Sequence, residues 1–235
     1  MSGTDGAHPL VLLRHGHSEW NLTDRFTGWT DIPLTEVGLN EAAEAGRRLA
    51  AAGHEFDEIH ISILQRTRQT ARKVLEAMGM QDIPVFSTWR LNERHYGALQ
   101  GLNKKEIFAT WGEKESRRWW RGYHEPPPPL DFNDSRHPRF DPLFAKLPAD
   151  ELPVGESLSD CQRRMLPYWN EVLSPRLRAG RRLLVISHGN TLRGLVMHLE
   201  KLSAEEMERV EIPSGVPLVY LLSNEMRVVG KEWLT

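Results

Sequence analysis

The chain has 235 residues, ordinary apolar content, a formal net charge of −2 and a single cysteine. That length fits one large α/β domain or two small ones, with an ample core, and the slightly acidic balance speaks against broad nucleic-acid binding. No apolar run reaches the length of a membrane span, and Cys161 alone leaves no intramolecular disulfide, so the cytoplasm is the expected compartment.

Residues 1–9 carry neither a basic nor an apolar signal region and read as a flexible leader. The stretch LVLLRHGHSEWN (10–21) then runs four apolar residues into Arg14, His15 and Gly16. A continuous apolar run ended by a turn signal reads as a buried strand. Ligands of open α/β sheets bind beyond the carboxyl ends of strands. The polar residues there suggest an anion site with a reactive imidazole, Gly16 letting a ligand approach the backbone.

A helix is predicted over 36–52, with Leu39, Ala42, Ala43, Gly46, Leu49 and Ala50 on one face and Gly53 as its stop. A strand follows at 58–62, a helix at 66–78 ended by Gly79, and a strand at 84–89. From 92 to about 155 the apolar periodicity weakens. This region holds one or two helices, a Trp/Arg-rich patch and four consecutive prolines, and reads as a functional insertion lacking apolar residues for its own core. A capping box at Ser157 opens a helix to about 179, in which Pro167 predicts a kink or break. LLVISHGN (183–190) repeats the strand–His–Gly design, followed by a helix over 191–202 and a strand over 217–222. Residues 224–235 show no pattern and read as a candidate mobile tail. Alternating strands and helices predict one three-layer α/β domain, a mostly parallel sheet with helices on both faces.

Each polar candidate has a bland alternative. His15 is a candidate nucleophile for phosphoryl transfer, since a neutral imidazole can carry the group covalently. A structural Arg–His pair at a strand end is the competing reading. Arg14 offers a planar fork of donors to phosphate. His188 offers charge stabilisation if the two strands are neighbours; a buried, backbone-bonded histidine is its alternative. Arg66 stands at a helix N-terminus, already an anion site, but taken alone it reads as a solvated helix-end charge. Glu93 is a candidate general acid/base, and Lys104 and Arg121 are candidate anion binders. Trp119, Trp120, Arg121 and Tyr123 also fit a base-stacking platform, disfavoured by the net charge. The four prolines fit a partner-docking ligand or, preferably, a loop brace. Neither the histidine spacing nor any carboxylate cluster matches a metal site, and Cys161 lies in a helical pattern without an activating context.

Arg14-His15-Gly16, Ser62-x-x-x-Arg66-x-x-x-Thr70, Glu93-Arg94-His95-Tyr96-Gly97 and Ser187-His188-Gly189 occur in this order. Together they resemble the histidine phosphatase superfamily. FTGWxDxPLTxxG, LNERHYGALQGLNK, PPPP, LPYW, SHGNTLR and IPSGVPLVY are similar, within it, to the cofactor-dependent phosphoglycerate mutases. The likeness spans the chain after the leader. It implies that His15 is the phosphorylated nucleophile, Glu93 the proton donor and acceptor, and His188, Arg14 and Arg66 the groups stabilising the transferring phosphoryl. It also implies that Ser18, Asn21, Thr27, Gly28, Tyr96, Lys104, Arg121, Gly189 and Asn190 contact substrate. The implied reaction interconverts 3-phosphoglycerate and 2-phosphoglycerate through phosphohistidine and 2,3-bisphosphoglycerate, which also primes the enzyme. No metal, nucleic acid or membrane is implied, and the implied partner is a second copy in a homodimer or homotetramer. A phosphatase or bisphosphoglycerate synthase using the same site, or an inactive binding protein keeping the fold, are the alternatives. Two residues depart from the family pattern. His17 replaces the usual Glu or Gln, and Trp120 replaces the first of two arginines, with Arg117 or Arg118 as candidate replacements.

Overall fold

The computed structural model describes residues 7–235. Six strands form one sheet: β1 (His8–Arg14), β2 (Glu58–Ile61), β3 (Val85–Ser87), β4 (Leu183–Ser187), β5 (Leu218–Leu222) and β6 (Val228–Trp233). Their order across the sheet is β3-β2-β4-β1-β5-β6. The pairs β2–β3, β2–β4 and β1–β4 are parallel, and β5 is antiparallel to both β1 and β6. β4 thus enters the sheet between β1 and β2, pairing Arg14 with Ser187. The topology reverses there, which places the ends of β1 and β4 side by side.

The unbroken apolar runs of β1 and β4 follow from burial on both faces. Leu10, Leu12, Leu183 and Val185 point into one core layer, packed against Met165, Trp169, Leu173, Leu177, Leu192 and Leu195. Val11, Leu13, Leu184 and Ile186 point into the other, against Ala45, Leu49, Ala71, Val74 and Leu75. The helices α2 (Glu36–Ala51) and α3 (Gln65–Met78) cover this second face, while α6 (Leu158–Tyr168), α7 (Ser174–Arg178) and α8 (Gly189–Glu200) cover the first. The three-layer expectation is met.

Three details differ from the sequence reading, and one expected irregularity is met. Residues 1–6 of the expected leader lie outside the described residues, whereas His8 and Pro9 belong to β1 and pair with Leu222 and Leu221. The expected tail is largely strand: β6 pairs with β5 through its backbone and half-exposes its side chains, so Gly230, Lys231 and Glu232 carry no apolar signature. The break expected at Pro167 is present: α6 ends at Tyr168, and a π-turn over Trp169–Leu173 links it to α7. Finally, the insertion has apolar anchorage. Its α4 (Lys104–Trp111) and α5 (Glu113–Arg121) bury Ile107 and Trp119 against Phe26, Tyr96 and Leu99, and Phe144 packs on Trp29 and Leu64. Aromatic residues from the 26–29 loop complete these clusters, so the insertion's own periodicity could not reveal them. Trp119 is therefore core, and the proline run is a brace: the Pro128 carbonyl accepts from Ala98 N at 2.9 Å.

Gly16 serves packing rather than ligand approach. A Cβ there would stand 2.1 Å from the Gly38 carbonyl oxygen, and one on Gly38 would stand 2.1 Å from the His17 carbonyl oxygen. The start of α2 thus lies directly on the backbone after His15. Gly16→Ala is expected to cost about 2–3 kcal/mol through overpacking of backbone, measurable as a lowered urea midpoint.

Candidate active site

His15 and His188 leave adjacent parallel strands at the same end, so their rings meet at 4.9 Å between centroids with a 65° interplanar angle. Their partners assign the tautomers. The Gly16 carbonyl can only accept, so His15 Nδ1 carries the proton and donates to it at 2.7 Å. The His15 Nε2 lone pair is left free. The Arg66 guanidinium can only donate, so its Nε–H donates to a bare His188 Nδ1 at 3.2 Å, and His188 Nε2–H donates to Ser62 Oγ at 2.8 Å. Burial holds both imidazoles well below the usual histidine range; the charges of Arg66 and Arg14 push His15 further down, and those of Arg66 and a protonated His15 do the same to His188. A buried, neutral imidazole with a bare Nε2 is a competent nucleophile.

Arg66, in the first turn of α3, is 1% exposed. Nη1 donates to the Thr30 carbonyl at 2.9 Å and Nη2 to the Gly28 carbonyl at 2.8 Å. It therefore ties the 27–30 loop to His188. Burial lowers its pKa to about 10, which leaves it cationic at neutral pH. Arg14 donates Nη1 to the Ile212 carbonyl at 3.0 Å and keeps a buried Nε without a partner.

Glu93 Oε1 accepts from Arg94 N at 2.8 Å and from Asn190 N, in the first turn of α8, at 3.2 Å. Oε2 remains available for proton transfer. The backbone before it is held by Arg164, which donates to the carbonyls of Trp89, Arg90, Asn92 and Glu93 and is doubly bonded to Glu156. Glu156 in turn accepts from His95 N at 2.8 Å. The sequence reading assigned no role to Arg164, Glu156 or Ser62. Their partners lie up to 126 residues away; only Ser62 falls within a motif given above, as the first residue of Ser62-x-x-x-Arg66-x-x-x-Thr70. Glu93→Gln keeps the shape of this bracket and removes the base; turnover is expected to fall about 10²–10⁴-fold with fold stability retained, as steady-state kinetics beside a thermal melt would show.

Every predicted residue except Ser18 and His188 lines one cleft: Arg14, His15, Asn21, Thr27, Gly28, Arg66, Glu93, Tyr96, Lys104, Arg121, Gly189 and Asn190. Ser18 instead caps α1 (Glu19–Leu22), its Oγ donating to Asn21 Oδ1 at 2.8 Å. It orients Asn21, whose side chain reaches the cleft. His188 is fully buried behind His15. Arg25, Phe26, Trp120, Arg193, Glu211 and Ile212 complete the lining.

The two departures are resolved by their contacts. His17 turns away from the cleft to Glu41 on α2, which accepts from its Nδ1 at 2.7 Å and its backbone N at 2.9 Å. Trp120 lies between Lys104 (5.5 Å from the ring) and Arg121 (4.6 Å), a cation–π contact on each. Lys104 donates to Asp24 at 3.0 Å and Arg121 to Glu211 at 2.6 Å. Arg117 and Arg118 do not replace the missing cation. Arg117 pairs with Glu113, Arg118 pairs with Glu115 and Glu125, and neither lines the cleft. Cys161 is buried, and burial raises its thiol to about 12, so it is inert.

Residues 10–227 match the model of the histidine phosphatase superfamily (branch 1). The chain is 48% identical, over 227 residues, to the 2,3-bisphosphoglycerate-dependent phosphoglycerate mutase of Nitratidesulfovibrio vulgaris (strain DSM 19637 / Miyazaki F), covering 97% of this chain and 91% of that protein. Among solved structures it is similar to a mycobacterial glucosyl-3-phosphoglycerate phosphatase (TM-score 0.72, 23% identity, 97% of both chains). It is also similar to Bacillus stearothermophilus YhfR (TM-score 0.71, 24% identity, 94% of this chain and 93% of the other). These structural likenesses establish the fold.

Proposed function

Because the chain belongs to the histidine phosphatase superfamily, and within it to the 2,3-bisphosphoglycerate-dependent phosphoglycerate mutases, we propose that it interconverts 3-phosphoglycerate and 2-phosphoglycerate in glycolysis and gluconeogenesis. The observation that carries this reading is the convergence, in one cation-lined cleft, of a neutral His15 with a bare Nε2 and a Glu93 carboxylate with an uncommitted oxygen. Bisphosphoglycerate supplies the phosphoryl group that charges His15. Its polyanionic character fits the unpartnered Nε of Arg14 and the neighbouring cations.

The residues divide the work as follows. His15 Nε2 holds the phosphoryl group, and its Nδ1–H bond to Gly16 keeps the ring oriented. Arg14 and the amide-rich N-terminus of α8 take charge on the phosphoryl oxygens. Arg66 and His188 back His15 from behind, and an arriving dianion offsets the cationic charges that add to burial in keeping His188 neutral. When the 2-hydroxyl of 3-phosphoglycerate attacks phosphorus on His15, the P–N bond breaks and Glu93 takes the hydroxyl proton. Return of the 3-phosphoryl to His15, with Glu93 giving the proton to the leaving oxygen, frees 2-phosphoglycerate. Small phosphorylated three-carbon acids are the substrates, a cytoplasmic location and self-association into a dimer or tetramer go with this reading, and no metal takes part.

Two measurements test it. Enolase-coupled detection is expected to show 2-phosphoglycerate formed from 3-phosphoglycerate after priming with bisphosphoglycerate, and activity is expected to survive chelator treatment. Release of inorganic phosphate without 2-phosphoglycerate would identify a phosphatase and end the mutase reading.

A further inference from the structure

Six cations line the cleft, and most are already answered within the chain. All three guanidinium nitrogens of Arg66 donate to His188, Thr30 and Gly28. Lys104 is paired with Asp24, Arg121 with Glu211, and exposed Arg25 donates to the Gly101 carbonyl. Arg14 and Arg193 differ from the rest: each keeps a buried Nε–H with no partner. Arg14 is accounted for beside His15. Arg193 is not.

Arg193 stands one turn after Asn190 on α8 and is 4% exposed. Nη1 donates to Asn190 Oδ1 at 3.1 Å and Nη2 to the Met207 carbonyl at 2.8 Å. Both acceptors are neutral. Burial lowers its pKa to about 10, and the charges of Arg121 and Arg94 push in the same direction. Glu211, which favours its charge, is already bonded to Arg121. A buried guanidinium with neutral acceptors and an open donor is costly unless an anion completes it.

We propose that Arg193 is a substrate-binding residue whose guanidinium receives the carboxylate of the phosphoglycerate while Arg14 attends the phosphoryl group at His15. This rests on the phosphoglycerate reading above. It also explains how the cleft tolerates Trp120: the second anion is met from α8 rather than from α5.

Calorimetric titration of the intact protein with 3-phosphoglycerate and with glycerol 3-phosphate, which lacks the carboxylate, tests the assignment. Arg193→Gln is expected to weaken 3-phosphoglycerate binding by about 10- to 100-fold, the loss of a charge-assisted bond, and to change glycerol 3-phosphate binding by no more than about twofold. Arg193→Lys, which keeps the charge should the glutamine variant unfold, is expected to weaken only 3-phosphoglycerate, and by less. Equal weakening of both ligands would overturn the proposal and leave Arg193 as a brace for Asn190; unchanged binding of both would overturn it too. Wild-type protein that binds the two ligands alike would overturn it directly. A carboxylate preference lost with Arg193, in protein that forms no 2-phosphoglycerate, would instead retain the assignment and reject the mutase.

Discussion

His15→Ala is expected to abolish labelling of the protein by radioactive bisphosphoglycerate and to lower turnover on the order of 10⁴–10⁶-fold, the scale of removing a covalent nucleophile. Among the described residues the only other imidazole against the site is His188, and it cannot inherit the role. It is fully buried, its Nδ1 faces the Arg66 donor, and its Nε2–H is committed to Ser62. Retention of an acid-labile phosphoryl label in the His15→Ala protein would contradict this assignment. The same geometry sets a pH dependence. The nucleophile is the neutral imidazole, and burial with Arg66 and Arg14 lowers its protonation well below pH 6.5. The rate of labelling is therefore expected to stay level from pH 8 down to pH 6, where an ordinary histidine would already be largely protonated.

The second large effect is on stability in acid. Among the buried histidines with lowered pKa values, four carry the larger shifts: His15 and His188 well below 6.5, His60 at about 4 and His95 at about 3, each chiefly through burial. In the unfolded chain they titrate near 6.5. Between that value and the folded one the unfolded state binds more protons, so stability is full above about pH 6.5 and falls as pH drops. For His60 and His95 the loss is about 1.4 kcal/mol per pH unit in that window, or about 2 kcal/mol each at pH 5. The two together remove about 4 kcal/mol, a large part of the stability of an ordinary domain, and His15 and His188 act in the same direction. The urea midpoint is therefore expected to decline steadily below pH 6.5. A midpoint unchanged from pH 7.5 to pH 5 would show that these imidazoles are not buried neutral.

Much of this arrangement was legible in the chain because its signals are local. The apolar runs before His15 and His188 mark buried strands, since only strands covered on both faces need apolar residues at every position. The spacing of α2 and α3, and the glycine that ends α3, mark helices by the same logic. The cleft residues predicted from the motifs come together around His15, apart from Ser18, which acts on Asn21, and His188, which stands behind the nucleophile. The illegible parts share one cause. Arg164, Glu156 and Ser62 bond to partners across the fold, and β6 is held by backbone pairing that leaves no pattern in its side chains. Arg193 was within reach: it follows Asn190 by three residues, the spacing that puts two side chains on one helix face.

By itself, then, the order of residues determined which segments become strands and helices, and that two strand–His–Gly junctions exist. These follow from periodicity, capping and turn chemistry, which act over a few residues. Only the tertiary structure decided what those junctions do. The insertion of β4 beside β1 sets the two imidazoles 4.9 Å apart, and burial there keeps both neutral. The carbonyl of Gly16 frees one nitrogen of His15, the α2 backbone explains the glycine, and Glu41 draws His17 away. Charge, tautomer and reach depend on which distant groups fill the surrounding space, and that is a property of the packed molecule rather than of any one segment.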